Sequence, residues 1–452
     1  MDTLHKLLAA GIFALLPGTA VLALPAVAQL PPGAMPSSLS ATALATPGQA
    51  IELSLPDGST QSLTASRSDY GMGRVGSIAR SRNGDLRFYG FVSGQQILSA
   101  DVYGRSGHFE LVSHQSHPYW IPARAASAKT DALMPATPVP RAAPSAAPTA
   151  GPDADGLYEI SVLVLHTPLY AQRIAPTTPE DEAQRLVFLA SAYMQTSAVP
   201  VRYRLAGVAP YTGTDENSGF YENLASMVGN KQVATLRNHT EADLVMLLRS
   251  QDGNADLCGL SSGFNNLERS DPPESINTER DAYNVAGLAP AEGSSASCFD
   301  DVFAHELGHS LAAGHDYAGS AGFAYWKPYA HALACANTNG LKYFSLMWGL
   351  GAGPGGGRSE LITNPDLLLE GHGCGATGVE GVEASQANNA RAMREAAPYV
   401  AAYRGKASGS SDGGGSGGGG DSTGGSGGGG FAWLMSLGLA LLGFGRHRRG
   451  RA

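Results

Sequence analysis

Apolar and polar positions change period several times along the chain, and each change marks an element. Tyr158-Glu159-Ile160-Ser161-Val162-Leu163-Val164-Leu165 predicts a strand, and residues 179–197 predict a helix that begins with Glu180, Asp181 and Glu182. A strand over Val201 to Val208, a helix over Tyr221 to Leu236 and a strand over Ala242 to Leu248 follow. Residues 384–403 predict a closing helix. This alternation predicts an α/β layered domain over residues 154–406. Residues 29–122 read differently. Ile51-Glu52-Leu53-Ser54-Leu55 alternates and runs into the turn Pro56-Asp57-Gly58; residues 86–92 and 109–112 also read as strands. A small β-rich unit is expected there, joined to the larger domain by an Ala/Pro-rich linker at 123–153.

Both ends carry targeting patterns. Lys6, the apolar stretch Leu7 to Leu24 and the small-x-small run Ala26-Val27-Ala28 read as a signal peptide over residues 1–28. Pro17 and Pro25 disfavour the alternative, an uncleaved membrane anchor. Residues 407–430 form a Gly/Ser-rich linker that can build no core. Residues 431–452 then give a short apolar run from Phe431 to Phe444 and a cluster of Arg446, Arg448, Arg449 and Arg451. The run is short for a stable span, and its basic end would stay cytoplasmic, so a transient membrane anchor is expected. This order of glycine run, apolar run and arginine cluster resembles the bacterial GlyGly-CTERM sorting tail. The resemblance implies trimming by a rhomboid-like sorting protease during type II secretion. It also implies a Gram-negative host and a final location that is secreted or at the cell surface.

Composition changes this picture little. Glycine is over-used, at 59 copies, and the formal charge of −9 argues against nucleic acid as a partner. Four cysteines, Cys258, Cys298, Cys335 and Cys374, suggest two disulfides in an exported chain. Three pairings are open. No Cys-x-x-Cys pair supports a cysteine-held zinc.

The chemistry lies in His305-Glu306-Leu307-Gly308-His309-Ser310-Leu311-Ala312-Ala313-Gly314-His315-Asp316. On a helix over 299–311, His305 and His309 project from one face and can hold one ion. His315 can join them only if the chain turns after about residue 311. Three imidazoles suit Zn²⁺ and leave one coordination position open. Glu306 is the expected general base, taking the proton of a water that the ion acidifies. His239, His331 and His372 lack partners at ligand spacing and read as surface or structural residues.

This stretch resembles the metzincin zinc peptidases, whose signature is His-Glu-x-x-His-x-x-Gly-x-x-His followed by a Met-turn. Ser345-Leu346-Met347 supplies the Met-turn candidate, and His315-Asp316 is similar to the reprolysin branch. Ala242-Asp243-Leu244-Val245, Cys258-Gly259-Leu260, Thr363-Asn364-Pro365-Asp366 and Asn388-Asn389-Ala390-Arg391 resemble secreted bacterial peptidyl-Asp metallopeptidases. The resemblance implies a metzincin-like domain with a mixed sheet and an active-site helix, Met347 packed beneath one catalytic zinc, and protein or peptide substrates. By position, the β-rich unit at 29–122 is then a pro-domain; a substrate-binding or structural module is the alternative. Lacking cysteine, that unit has no thiolate to place on the metal.

Two departures stand out. Ala312 occupies the family's turn glycine, where positive φ would cost an alanine about 1–2 kcal/mol, and Gly314 offers a later turn. Gly349 stands where some metzincins carry an oxyanion-binding Tyr. The expected function is a secreted zinc endopeptidase. Its alternatives are a surface-displayed binding protein with a degenerate zinc site, which Ala312 alone would support, and a zinc amidase acting on a non-protein substrate.

Overall fold

The structure is a computed structural model. It describes residues 24, 27, 29–55, 58–82, 86–104, 107–122, 132–133, 149–215, 218–251, 257–264, 267, 269, 271, 273–290, 298, 300–318, 320, 325–336, 342–349, 357–369 and 372–404. Most of the signal segment, Pro56-Asp57 of the expected turn, most of the Ala/Pro linker, and residues 407–452 with the sorting tail lie outside them. Among the described residues no helix is long and apolar enough to cross a membrane.

The N-terminal region is a seven-stranded antiparallel sheet with a side hairpin. Its elements are β1 (Met35–Pro36), α1 (Ala41–Ala45), β2 (Ala50–Ser54), β3 (Thr60–Thr64), β4 (Ser66–Asp69), β5 (Arg74–Arg80), β6 (Arg87–Ser93), β7 (Gln96–Gly104), β8 (Gly107–His114) and β9 (His117–Pro122). Sheet order is β1-β9-β8-β7-β6-β5-β4, with β2 and β3 paired apart. The β6 segment Arg-Phe-Tyr-Gly-Phe-Val-Ser is buried at every position but its last. Successive side chains on a strand point to opposite faces. Phe88 and Val92 accordingly enter the core shared with Leu44, Ile51 and Leu53. Tyr89 and Phe91 enter the core of the larger α/β region.

The sheet of that region takes one strand from the linker, β10 (Ala132–Leu133); the region's own elements are β11 (Tyr158–His166), α2 (Pro168–Arg173), α3 (Pro179–Thr196), β12 (Val201–Pro210), α4 (Phe220–Met227), α5 (Lys231–His239), β13 (Leu244–Gln251), β14 (Gly259–Ser261) and β15 (Tyr283–Pro290). The six-stranded sheet runs β10-β14-β15-β13-β11-β12. It is mixed: β12, β11, β13 and β15 are parallel to one another, β14 is antiparallel to β15, and β10 is parallel to β14. All eight positions of β13 are buried, as expected for a parallel strand covered on both faces. Helix α3 starts at the Thr178 cap with Pro179 in its first turn and is buried almost throughout. The N-terminal sheet covers part of it: Phe188 stacks on Phe91 at 5.4 Å, and Arg74 pairs with Asp181 at 2.6 Å.

The remaining elements support the site. They are α6 (Asp301–Ser310), β16 (Ala334–Ala336), β17 (Lys342–Phe344), β18 (Gly357–Arg358), β19 (Asn364–Leu369), β20 (His372–Cys374) and α7 (Asn389–Val400). Cys258 is bonded to Cys298 and Cys335 to Cys374, one of the three possible pairings.

Two helix expectations need correction. The single helix over Tyr221 to Leu236 is two, α4 and α5. Gly229 breaks it at φ +74°, and the Asn230 side chain caps α5 by accepting from the N–H groups of Gln232 and Val233. The closing helix is shorter than residues 384–403: Asn388 caps α7, and a short 3₁₀ turn at Glu383–Ser385 precedes it.

Candidate metal centre

Helix α6 carries His305, Glu306 and His309, all fully buried. It ends in a Schellman motif. The Ala313 N–H donates to Gly308 O at 3.0 Å and the Ala312 N–H to His309 O at 3.1 Å. Ala312, between them, sits at φ +67°, so the turn forms at the glycine position of the resemblance although the residue is alanine. Gly314 is not among the positive-φ residues. A Cβ on Gly314 would come within 2.2 Å of Ala330 O, so its glycine serves close packing. Replacing Ala312 with Gly removes about 1–2 kcal/mol of left-handed strain and adds about 0.5–1 kcal/mol of unfolded-state entropy. Ala312→Gly is therefore expected to stabilise the protein by about 0.5–1 kcal/mol, read as a rise in Tm. An unchanged or lower Tm would show that packing of the buried methyl outweighs the strain.

After the turn, Asn389 at the start of α7 grips Gly314 on both sides. The Gly314 N–H donates to Asn389 Oδ1 at 2.9 Å, and Asn389 Nδ2 donates to Gly314 O at 2.8 Å. The His315 N–H donates to Tyr325 Oη at 2.8 Å. These contacts return His315 to the other two histidines. His315 Nε2 lies 3.1 Å from His305 Nε2 and 3.0 Å from His309 Nε2. Among the described residues, His305, His309 and His315 form the group with metal-ligand geometry.

The opposite ring nitrogens are committed. His305 Nδ1 is 2.7 Å from Leu346 O, and His309 Nδ1 is 2.8 Å from Ala313 O. A carbonyl only accepts, so both Nδ1 atoms carry a proton, which in a neutral ring leaves the Nε2 lone pair directed at the cluster. Burial pushes His309 down to about 4, against the opposing effect of its bond to Ala313 O, so the ring is neutral near pH 7. His315 Nε2 has at most one proton to share with its two neighbours. Lone pairs facing one another repel, and a cation in their midst reverses that sign. The residues therefore fit a zinc ion.

Met347 is buried beneath α6, where a Cβ on Gly308 would lie 2.6 Å from its Sδ. Its neighbour Leu346 supplies the carbonyl that orients His305. Gly349, where a Tyr was noted as missing, lies against the third histidine: a Cβ there would be 2.6 Å from His315 Nδ1. Gly259 of β14 faces Glu306, whose Oε1 would be 2.1 Å from a Cβ at that position. His331 is buried, with Nδ1 3.2 Å from His315 O and Nε2 3.0 Å from Glu383, so it helps fix the third histidine. His239 is exposed at the end of α5, and nothing links it to the cluster.

Residues 181–316 match metallo-peptidase family M12B, Reprolysin-like. This reprolysin-like stretch runs from α3 to the residue after His315 and contains the whole histidine cluster. A Peptidyl-Asp metalloendopeptidase of Pseudomonas aeruginosa is 30% identical over 179 residues. That alignment takes in 38% of this chain and 28% of the relative, so the chain spans under a third of the curated relative it matches. Similar solved structures include a chaperone–substrate complex at TM-score 0.40 and 14% identity, covering 67% of this chain and 39% of the other. Metalloproteinase-II from Bacteroides fragilis is similar at TM-score 0.35 and 10% identity, covering 57% of this chain and 78% of that one.

Gly259, Gly308, Tyr325, Leu346 O and Asn389 support the site without having been singled out for it in the sequence. Gly308 stood within the motif, and Asn389 within a matching stretch. Nothing in their spacing revealed which atoms they would meet.

Proposed function

We propose that the chain is a zinc-dependent endopeptidase with His305, His309 and His315 as metal ligands and Glu306 as general base. The observation that carries this reading is the convergence of three imidazole Nε2 atoms, two of them on rings whose Nδ1–H groups donate to backbone carbonyls. When bound, zinc supplies a Lewis acid that polarises a peptide carbonyl and acidifies water. Glu306, next in sequence to His305, takes the proton from the attacking water and returns it to the leaving amine. Met347 and the Leu346 carbonyl hold the His305 side of the pocket; Asn389, Tyr325 and His331 hold the His315 side. The degenerate-site alternative rests on Ala312, and the left-handed turn at that residue is in keeping with an intact site instead. Export by the N-terminal signal and the GlyGly-type tail belongs to the same proposal and is in keeping with two disulfides.

The expected result is about one zinc per purified chain. Casein and peptide-library hydrolysis should be lost with a chelator and restored by added zinc. Bound zinc without turnover of any peptide would turn the reading to a binding protein. Cleavage restricted to a cell-wall amide would turn it to an amidase.

A further inference from the structure

A cleft of about 670 Å³ opens beside α7, and none of the three clustered histidines lines it. One face of α7 makes a wall of it. Arg394 with Pro398 and Glu395 with Tyr399 are pairs four residues apart, which a helix stacks on the same side. Tyr158 at the start of β11, Trp326 and Lys327 line it as well, together with Arg269 and Asp271.

Most of the charge in this cleft is already matched. Lys327 Nζ lies 3.9 Å from the centre of the Trp326 ring and 3.1 Å from Glu395 Oε2. The other oxygen of Glu395 accepts from Tyr329 Oη at 2.6 Å and from Arg391 Nε at 3.1 Å. Burial alone would raise the Glu395 carboxyl, but its bonds from Tyr329, Lys327 and Arg391, with the Lys327 charge, lower it on balance. Arg269 pairs with Glu383. Arg394 is different. Its Nη1 donates to Ala198 O at 3.2 Å, and among the described residues no carboxylate pairs with it. A guanidinium has five N–H donors, so most of its donors are left for a ligand.

We infer that this cleft binds a carboxylate-bearing peptide segment, with Arg394 taking the carboxylate and Tyr158 and Tyr399 contacting the residues beside it. The planar fork of an arginine matches a carboxylate through two parallel hydrogen bonds. Tyrosine offers an apolar face to the stem and the neighbouring side chains. Asp271 and Glu395 put fixed negative charge in the same lining, which disfavours a dense polyanion such as a nucleic acid or a sulfated glycan. One carboxylate among apolar residues meets one unmatched cation without that repulsion. On the peptidase reading, on which this part rests, the segment belongs to a protein substrate that is cut elsewhere along its length at the metal centre. The two places share one segment of chain. Trp326, whose indole N–H donates to Asp271 O at 3.3 Å, directly follows Tyr325, whose hydroxyl accepts from the His315 N–H. A substrate engaged at both gains from the effective concentration that the first contact gives the second.

The test is calorimetric titration of the full chain in its Glu306→Gln form, which does not consume the probe. The probes are the peptide acetyl-Ala-Tyr-Glu-Ala-Ala-amide and its analogue with Gln in place of Glu. The Glu peptide is expected to bind about tenfold tighter than the Gln analogue, and Arg394→Gln should remove that difference. Lys231→Gln, an exposed cation at the start of α5, should leave it unchanged. In the active chain, Arg394→Gln should raise KM for casein severalfold. Equal binding of the two peptides overturns the inference, as does a preference for Glu that survives Arg394→Gln. Heparin that binds tighter than the Glu peptide and is released by Arg394→Gln overturns it in favour of a polyanion site. The expected binding pattern with no hydrolysis by any chain leaves the cleft standing and counts against the peptidase reading instead.

Discussion

Glu306→Gln should lower kcat for peptide hydrolysis by about 10²–10⁴-fold while zinc content stays at the parent level. The substitution keeps the shape of a fully buried side chain that lies against Gly259. It removes the ability to accept a proton and leaves His305, His309 and His315 untouched. Loss of turnover with the metal retained separates a base from a ligand or a packing residue, because a packing defect would also lower Tm or metal content. Activity within tenfold of the parent would sink the assignment.

The second large effect concerns the junction between the N-terminal sheet and the α/β region. Arg87 of β6 pairs with Glu360, and Tyr89 Oη and Ser359 Oγ donate to the same carboxylate at 3.1 and 3.2 Å. Burial alone would lower the Arg87 guanidinium, but the charge of Glu360 and its hydrogen bond, together with Tyr89 and Tyr103, raise it on balance. Removing one partner of such a buried pair leaves an uncompensated charge, at a cost of about 3–5 kcal/mol. Arg87→Ala is therefore expected to lose that much in urea unfolding. Arg87→Met/Glu360→Met together should lose much less, since neither charge is stranded. A loss below about 1 kcal/mol for Arg87→Ala would show that water reaches Glu360 and solvates it. The position matters for the site: Leu361, next to Glu360, accepts from the Leu346 N–H at 2.8 Å, and Leu346 O orients His305. The N-terminal sheet thus grips the segment that steadies one histidine.

The parts of this architecture that obey a local period were legible in the sequence. β11 and β13 announce themselves by near-continuous apolar runs, and α3 by its acidic first turn. The histidine cluster was legible because its spacing is itself helical geometry, i to i+4, followed by a turn. What periodicity conceals is which surface meets which. β6 reads as a strand, but that Tyr89 and Phe91 serve one core while Phe88 and Val92 serve another depends on partners a hundred residues away. The break at Gly229 was missed because one glycine within an apolar-periodic run is tolerated in helices, and only its positive φ ends this one. Ala312 shows the limit from the other side. The motif needs a left-handed turn, and the chain makes it with a residue that disfavours it, while Asn389 from the far end of the domain holds Gly314 two residues on. No local rule could supply that partner. Ala132–Leu133 lies in a stretch whose composition gives no strand signal at all.

The two cystine bridges divide the labour around the pocket. One ties the residue before Gly259 to the residues leading into α6; the other closes a loop containing Met347, Gly349, Glu360 and Thr363. With separations of 40 and 39 residues, each removes about 4 kcal/mol of chain freedom from the unfolded ensemble. Four thiols must give up their electrons before both sides of the histidine cluster are covalently fastened. A chain kept in a reducing cytosol would therefore hold the right imidazoles without the clasps that frame them, and maturation becomes a question of oxidation as much as of folding.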